Sequence, residues 1–172
     1  MAVLLAGCGG GGARTLPTVN PTQVQADAAV VSALIEAERT AIAAYRLGMG
    51  RLAGAARATG VRFLGHEQEH EGALTRAILS LGGKPPIRRT PAAYSAGFPR
   101  LSDAESALRF ALDVENTQVS AYVNALGTVA APGLRATLAS ILATEAEHMS
   151  VILGELHEPQ APQAVVTGSK PT

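Results

Sequence analysis

Glutamate and histidine recur at one spacing in two places, Glu67-Gln68-Glu69-His70 and Glu145-Ala146-Glu147-His148. Each copy is preceded by a glutamate with a tyrosine seven residues after it, Glu38 with Tyr45 and Glu115 with Tyr122. The Glu/Tyr segments are offset by 77 residues and the Glu-x-x-His segments by 78, so one extra loop residue separates two copies of a single pattern. With 11 Glu and 4 His in the chain, chance supplies about 0.3 Glu-x-x-His pairs, so two at equivalent positions mark a duplication. Placed on four helices, the duplicated set brings four carboxylates and two imidazoles around one point. A Glu and a His three residues apart share a helix face and can aim at one centre. Hard carboxylates with a single imidazole per ion suit iron or manganese, whereas structural zinc favours thiolates and more histidines. The charge of four carboxylates matches two divalent ions, and without a cation their burial would cost about several kcal/mol for each unpaired ion.

The neighbours of these residues offer competing assignments. Glu36 and Asp113 are also 77 residues apart, each two residues before Glu38 or Glu115. Two residues turn a helix by about 200°, so only one acid of each pair faces inward. The tyrosine seven residues on, nearly two turns away, selects Glu38 and Glu115, which leaves Glu36, Asp113, Glu69 and Glu147 as expected surface residues. Tyr45 and Tyr122 either hydrogen-bond a carboxylate ligand or carry an electron to it, or are plain core aromatics. His66-Glu67-Gln68-Glu69-His70 also spells the His-Glu-x-x-His signature of zinc metalloproteases. The second copy has Thr144 where the first has His66, so chemistry shared by both copies does not need that histidine. His157 is expected to act as a cation beside a helix C-terminus.

The elements that must position these groups are legible in the apolar spacing. From Gln23 to about Met49, apolar residues such as Val31, Leu34, Ile35, Ile42 and Tyr45 recur at three- and four-residue steps, which predicts a first helix. Gly48, Gly50 and Gly54 mark a turn, and a second helix continues to Leu81, where Gly82-Gly83 stops it. Lys84 to Arg100 contains four prolines and reads as a long extended connection. Ser102-Asp103-Ala104-Glu105 reads as a capping box that opens a third helix near Asp103. A turn between Gly127 and Gly133 leads into a fourth helix from Leu134 to about His157. Glu38 and Glu115 fall near the middle of helices about 40 Å long. Short turns force antiparallel neighbours, and the connection is long enough to travel the length of a bundle.

Composition narrows the partners. The chain has 172 residues, enough for one domain with a full core, and 47% hydrophobic with 16% charged residues is globular. Zero formal charge, with no basic patch, excludes a footprint for nucleic acid, and 3% aromatic residues without Trp exclude a base-stacking platform. The single Cys8 rules out an internal disulfide and a Cys-x-x-Cys iron centre. Leu5-Ala6-Gly7-Cys8 resembles a bacterial lipobox, which implies acylation of Cys8, a lipid anchor and a location outside the cytoplasm. The seven residues before Cys8 lack a basic region and are shorter than an apolar signal core, so either the natural start lies further upstream or the Cys is incidental. Residues 1–22 are thus expected to be a truncated lipoprotein signal and Gly-rich tether, residues 23–157 a four-helix domain, and residues 158–172 a disordered tail.

On the Glu38, Glu67/His70, Glu115 and Glu145/His148 pattern the chain resembles the ferritin-like superfamily of di-metal carboxylate proteins. The likeness spans roughly residues 23–157 and is nearest to its rubrerythrin-like and bacterial ferritin-like-domain members. It implies an all-α antiparallel four-helix bundle with a long crossover between the second and third helices. It also implies two iron ions, or manganese, bridged by Glu67 and Glu145, with Glu38, Glu115, His70 and His148 as terminal ligands. The implied activity is reaction with dioxygen or peroxide, as a ferroxidase or peroxidase type of oxidoreductase, fed by an unknown electron donor. A non-catalytic metal staple or store, a metal-free interaction bundle, and a homodimer formed through a bundle face remain open from the residues themselves.

Overall fold

Asn20 accepts a hydrogen bond from the Thr22 amide at 3.0 Å just ahead of Pro21, a proline fixed at the helical φ, and helix α1 (Pro21–Gly48) starts there. The computed structural model describes residues 20–168, so Cys8 and the lipobox-like segment lie outside the described residues. A five-residue turn leads to α2 (Gly54–Ser80), which ends at Gly82 with φ 74° and a bond from the Gly83 amide to the Ile78 carbonyl at 3.0 Å. Only a residue free of Cβ adopts that left-handed cap without strain. α4 (Ala104–Thr128) and α5 (Pro132–Glu155) form the second antiparallel pair. The described residues form helices only, and the fold is an all-α four-helix bundle.

Three local expectations change. The capping box of α4 sits one residue on: Asp103, not Ser102, accepts from the Ser106 amide at 2.8 Å, and Ser106 Oγ accepts from the Asp103 amide at 3.0 Å. The crossover is not wholly extended, because Thr90 caps a short helix α3 (Pro91–Ser95) within it. Glu36 is not a solvated surface acid but the anchor of that crossover. It is paired with Arg39 at 2.8 Å and Arg89 at 2.9 Å, and accepts from the buried Tyr94 hydroxyl at 3.0 Å. His157 takes φ 60° and closes α5 through its backbone, with the Glu158 amide bonded to the Leu153 carbonyl at 2.9 Å. Beyond it the chain has no regular element to residue 168, yet it lies back on the bundle, with Gly168 against the Asn116 carbonyl and Ser120.

The apolar core is divided. A larger cluster includes Val31, Ile35, Leu74, Ile78, Tyr122 and Leu138. A smaller one gathers Tyr45, Phe63 and Ile152. On each long helix the duplicated glutamate falls between the residues of the two clusters, so the fold places a polar layer across mid-bundle. α1 packs broadly on α2 and α4, while α2 and α5 touch least, so the seam between them is the most open.

Candidate metal centre

Each of the four long helices delivers one wholly buried carboxylate to this layer: Glu38, Glu67, Glu115 and Glu145 are all 0% exposed. α2 and α5 add His70 and His148 three residues after their glutamates, 8% and 1% exposed. Six residues far apart in sequence thereby converge. One ligand atom each from Glu38, Glu67, His70 and Glu145 lies within 4.8 Å of the others, and so does one each from Glu67, Glu115, Glu145 and His148. Glu67 and Glu145 belong to both sets.

The atoms at this meeting point lie at ion-pair distances but outside hydrogen-bond geometry. His70 Nδ1 lies 3.0 Å from Glu145 and 3.7 Å from Glu38, and His148 Nδ1 lies 3.1 Å from Glu145 and 3.4 Å from Glu115. Even so, both nitrogens, both oxygens of Glu67 and of Glu145, and Oε2 of Glu38 and Glu115 have no hydrogen-bond partner among the described residues. An unsatisfied buried polar group costs about 1–3 kcal/mol, and more when charged, so eight at one point call for compensation by cations or by protons. Two divalent ions fit this donor set in charge, hardness and number.

The tyrosines complete the arrangement by crossing over. Tyr45 on α1 donates its hydroxyl to Oε1 of Glu115 on α4, and Tyr122 on α4 donates to Oε1 of Glu38 on α1. Each phenol thus occupies one carboxylate oxygen, while Oε2 of Glu38 and of Glu115 stays without a hydrogen bond. Burial, reinforced by the surrounding carboxylates, pushes both phenols well above their ordinary range, so they remain donors at neutral pH.

In the cation-free cluster, protons compensate the carboxylates. Burial pushes Glu67 well above the usual carboxylate range and Glu115 up to about 7. Burial alone would lower the imidazoles, but Glu145 and Glu38 outweigh it at His70, which rises to about 9. At His148 the carboxylates Glu115, Glu145 and Glu67 do the same and raise it to about 11. Burial would raise Glu145, but the two histidines overcome it and bring it down to about 2. The cluster is built to hold positive charge.

His66 belongs to neither donor set, so the two-histidine zinc arrangement of His-Glu-x-x-His is not assembled. Instead its Nδ1 lies 2.9 Å from His148 Nε2, and Phe63 stacks on the His148 ring at 3.9 Å between centroids. Spacing within one copy of the repeat gives no sign of this contact, because His66 and His148 lie on α2 and α5, 82 residues apart. Glu69, Glu147 and Asp113 are exposed, as their helical angle predicts. His70, Glu69 and Thr144 line an open groove of about 480 Å³ at the α2/α5 seam.

A family model described as a ferritin-like domain matches residues 26–158. Among solved structures, the chain is similar to a conserved hypothetical protein from Mycobacterium tuberculosis, with 17% identity and a TM-score of 0.70 over 78% of this chain and 93% of that one. A dodecameric thioferritin, the bacterioferritin-related protein from Bacteroides fragilis, superposes at 20% identity and a TM-score of 0.68, covering 78% and 86%. A ferritin-like diiron-carboxylate protein from Bacillus anthracis does so at 22% and 0.63, covering 78% and 97%. At these identities the likeness is one of fold. No curated protein matches the chain significantly. With the family model reaching into all four long helices and spanning the whole Glu/His layer, the chain belongs to the ferritin-like domain family.

Proposed function

We propose that Glu38, Glu67, His70, Glu115, Glu145 and His148 hold two iron ions, or manganese, and that the protein reacts with dioxygen or peroxide in metal oxidation or peroxide detoxification. The observation that carries this reading is the pair of buried donor sets sharing Glu67 and Glu145, with eight ligand atoms in no hydrogen bond. A fold neighbour described as a diiron-carboxylate protein favours iron. Bound iron would supply electrons by passing between its divalent and trivalent states. Glu67 and Glu145, which belong to both sets, would be shared by the two ions. Tyr45 and Tyr122 hold the terminal carboxylates in orientation through their Oε1 atoms. The two apolar clusters above and below keep bulk water from the layer. Turnover of such a centre would call for a separate electron donor.

Elemental analysis of protein purified without added metal is expected to give two iron or manganese ions per chain, lost in Glu67→Ala. Anaerobic ferrous titration followed by peroxide is then expected to produce an absorbance change; none above the Glu67→Ala background overturns the redox reading and leaves a metal staple or store. As a second part of the proposal, acylation at Cys8, argued from Leu5-Ala6-Gly7-Cys8, anchors the chain outside the cytoplasm. An intact mass of native protein without diacylglycerol at Cys8 overturns that part.

A further inference from the structure

The two donor sets have the same residue types but unequal surroundings. The His148 ring is fixed from two sides, stacked by Phe63 at 3.9 Å with 26° between planes and met at Nε2 by His66 Nδ1 at 2.9 Å. If Nδ1 gives its lone pair to a cation, the hydrogen must sit on Nε2 and His66 Nδ1 is placed to accept it, so the contact would fix the ligating tautomer as well as the ring plane. His70 has neither support. It is 8% exposed, its ring lines the groove at the α2/α5 seam, and no hydrogen bond to its Nε2 forms among the described residues. The duplication explains the difference, because Thr144 occupies the position of His66 in the second copy. The Thr144 hydroxyl donates back to the Ser140 carbonyl at 3.3 Å rather than to His70.

Resting on the two-ion reading above, we propose that the site is functionally asymmetric. Glu115 and His148 form its tight half, Glu38 and His70 its loose and exchangeable half, and His66 is the positioning residue that creates the difference. A ring held from its outer side as well gives up little freedom on binding, whereas the His70 ring is positioned only from the carboxylate side, by Glu145 at 3.0 Å, and its other edge borders the groove. Outer partners of this kind typically change metal affinity by about 10–100-fold. The groove beside His70 is the route by which a divalent cation reaches and leaves the loose half, because His70 is the most exposed of the six ligands, at 8%, and lines that groove. The chain then keeps one ion resident and trades the other with solution.

The test is anaerobic titration of the metal-free, full-length protein with cobalt(II) against a competing chelator, read by visible absorption. Two steps separated by about 10–100-fold in affinity are expected. In His66→Phe the tight step weakens by about 10-fold or more, its absorption bands shift and the loose step stays in place. His66→Asn, whose side-chain oxygen restores the acceptor, recovers the tight step. Thr144→His, which places an imidazole in the groove beside His70, strengthens the loose step and narrows the gap. A single two-ion step in the wild type, or equal weakening of both steps in His66→Phe, overturns the proposal. If His66→Phe fails to fold, an unchanged gap in Thr144→His overturns it as well. Absence of any cobalt or iron uptake instead sinks the di-metal reading itself, and the asymmetry with it.

Discussion

Tyr45 and Tyr122 each reach across the bundle to the other repeat's glutamate, and this exchange occupies one oxygen of each carboxylate. Removing one hydroxyl strands a buried Oε1 that water cannot reach. In Tyr122→Phe we expect a stability loss of about 1–3 kcal/mol in the metal-free protein, measured by denaturant unfolding, together with weaker metal binding. Tyr45→Phe is expected to behave in the same way, and unchanged stability and affinity in both variants would contradict the orienting role. The seven-residue spacing to the tyrosine made Glu38 and Glu115 legible in the sequence, and it also picked them over Glu36 and Asp113. It did not reveal the crossing, because spacing along one helix says which face a side chain shares but not which neighbour that face meets. His66 was hidden for the same reason: dismissed as a ligand on the strength of Thr144, it acts through His148 from a different helix.

Among the elements, α5 opens without a cap of its own, since Ala131 at its N-cap offers no side-chain acceptor. Asp27 on α1, 2% exposed, accepts from the Ala130 and Ala131 amides at 3.0 Å and so pins the turn that leads into α5 from another helix. Burial works to raise this carboxyl, but Gln23 and the two amides outweigh it and hold it below its ordinary 3.8. A group lowered in the folded state stabilises above its unfolded value and loses that contribution as pH falls through the folded one. We therefore expect Asp27→Asn to lower stability by about 1–2 kcal/mol at neutral pH, read by thermal unfolding. The gap to wild type should narrow as pH drops below 3.8; a constant gap down to acid pH would argue against the charged contact. Helix positions and the two turns were readable from periodicity and glycine. The crossover's short helix was not, because its order depends on Tyr94 and Arg89 meeting Glu36 on α1 and Arg88 meeting Glu71 on α2, contacts with no local signature.

For the whole molecule, a bundle that places its most expensive polar groups between two apolar clusters must be stabilised differently with and without a cation. In the metal-free state His70 and His148 are raised to about 9 and about 11 from an ordinary 6.5, so their ion pairs contribute fully below 6.5 and are lost as pH climbs through those values. The raised carboxyl of Glu67 acts in the same direction, since it favours the folded state only while it keeps its proton. Glu145 is lowered to about 2 and opposes them only at the acid end, below its ordinary 4.5. The melting temperature of metal-free protein is therefore expected to fall as pH rises from neutral toward 10, at about 2–4 °C per kcal/mol lost for a chain of this size. Metal loading reverses the trend, because both imidazoles must lose their protons to ligate, so apparent affinity rises with pH and loading at pH 7 releases protons. Protein held at fixed excess metal should then gain melting temperature over the range in which the metal-free form loses it. Parallel curves for the two forms would mean that the cation does not replace the protons of His70 and His148, and the layer would have to be read as a proton-paired structural network instead.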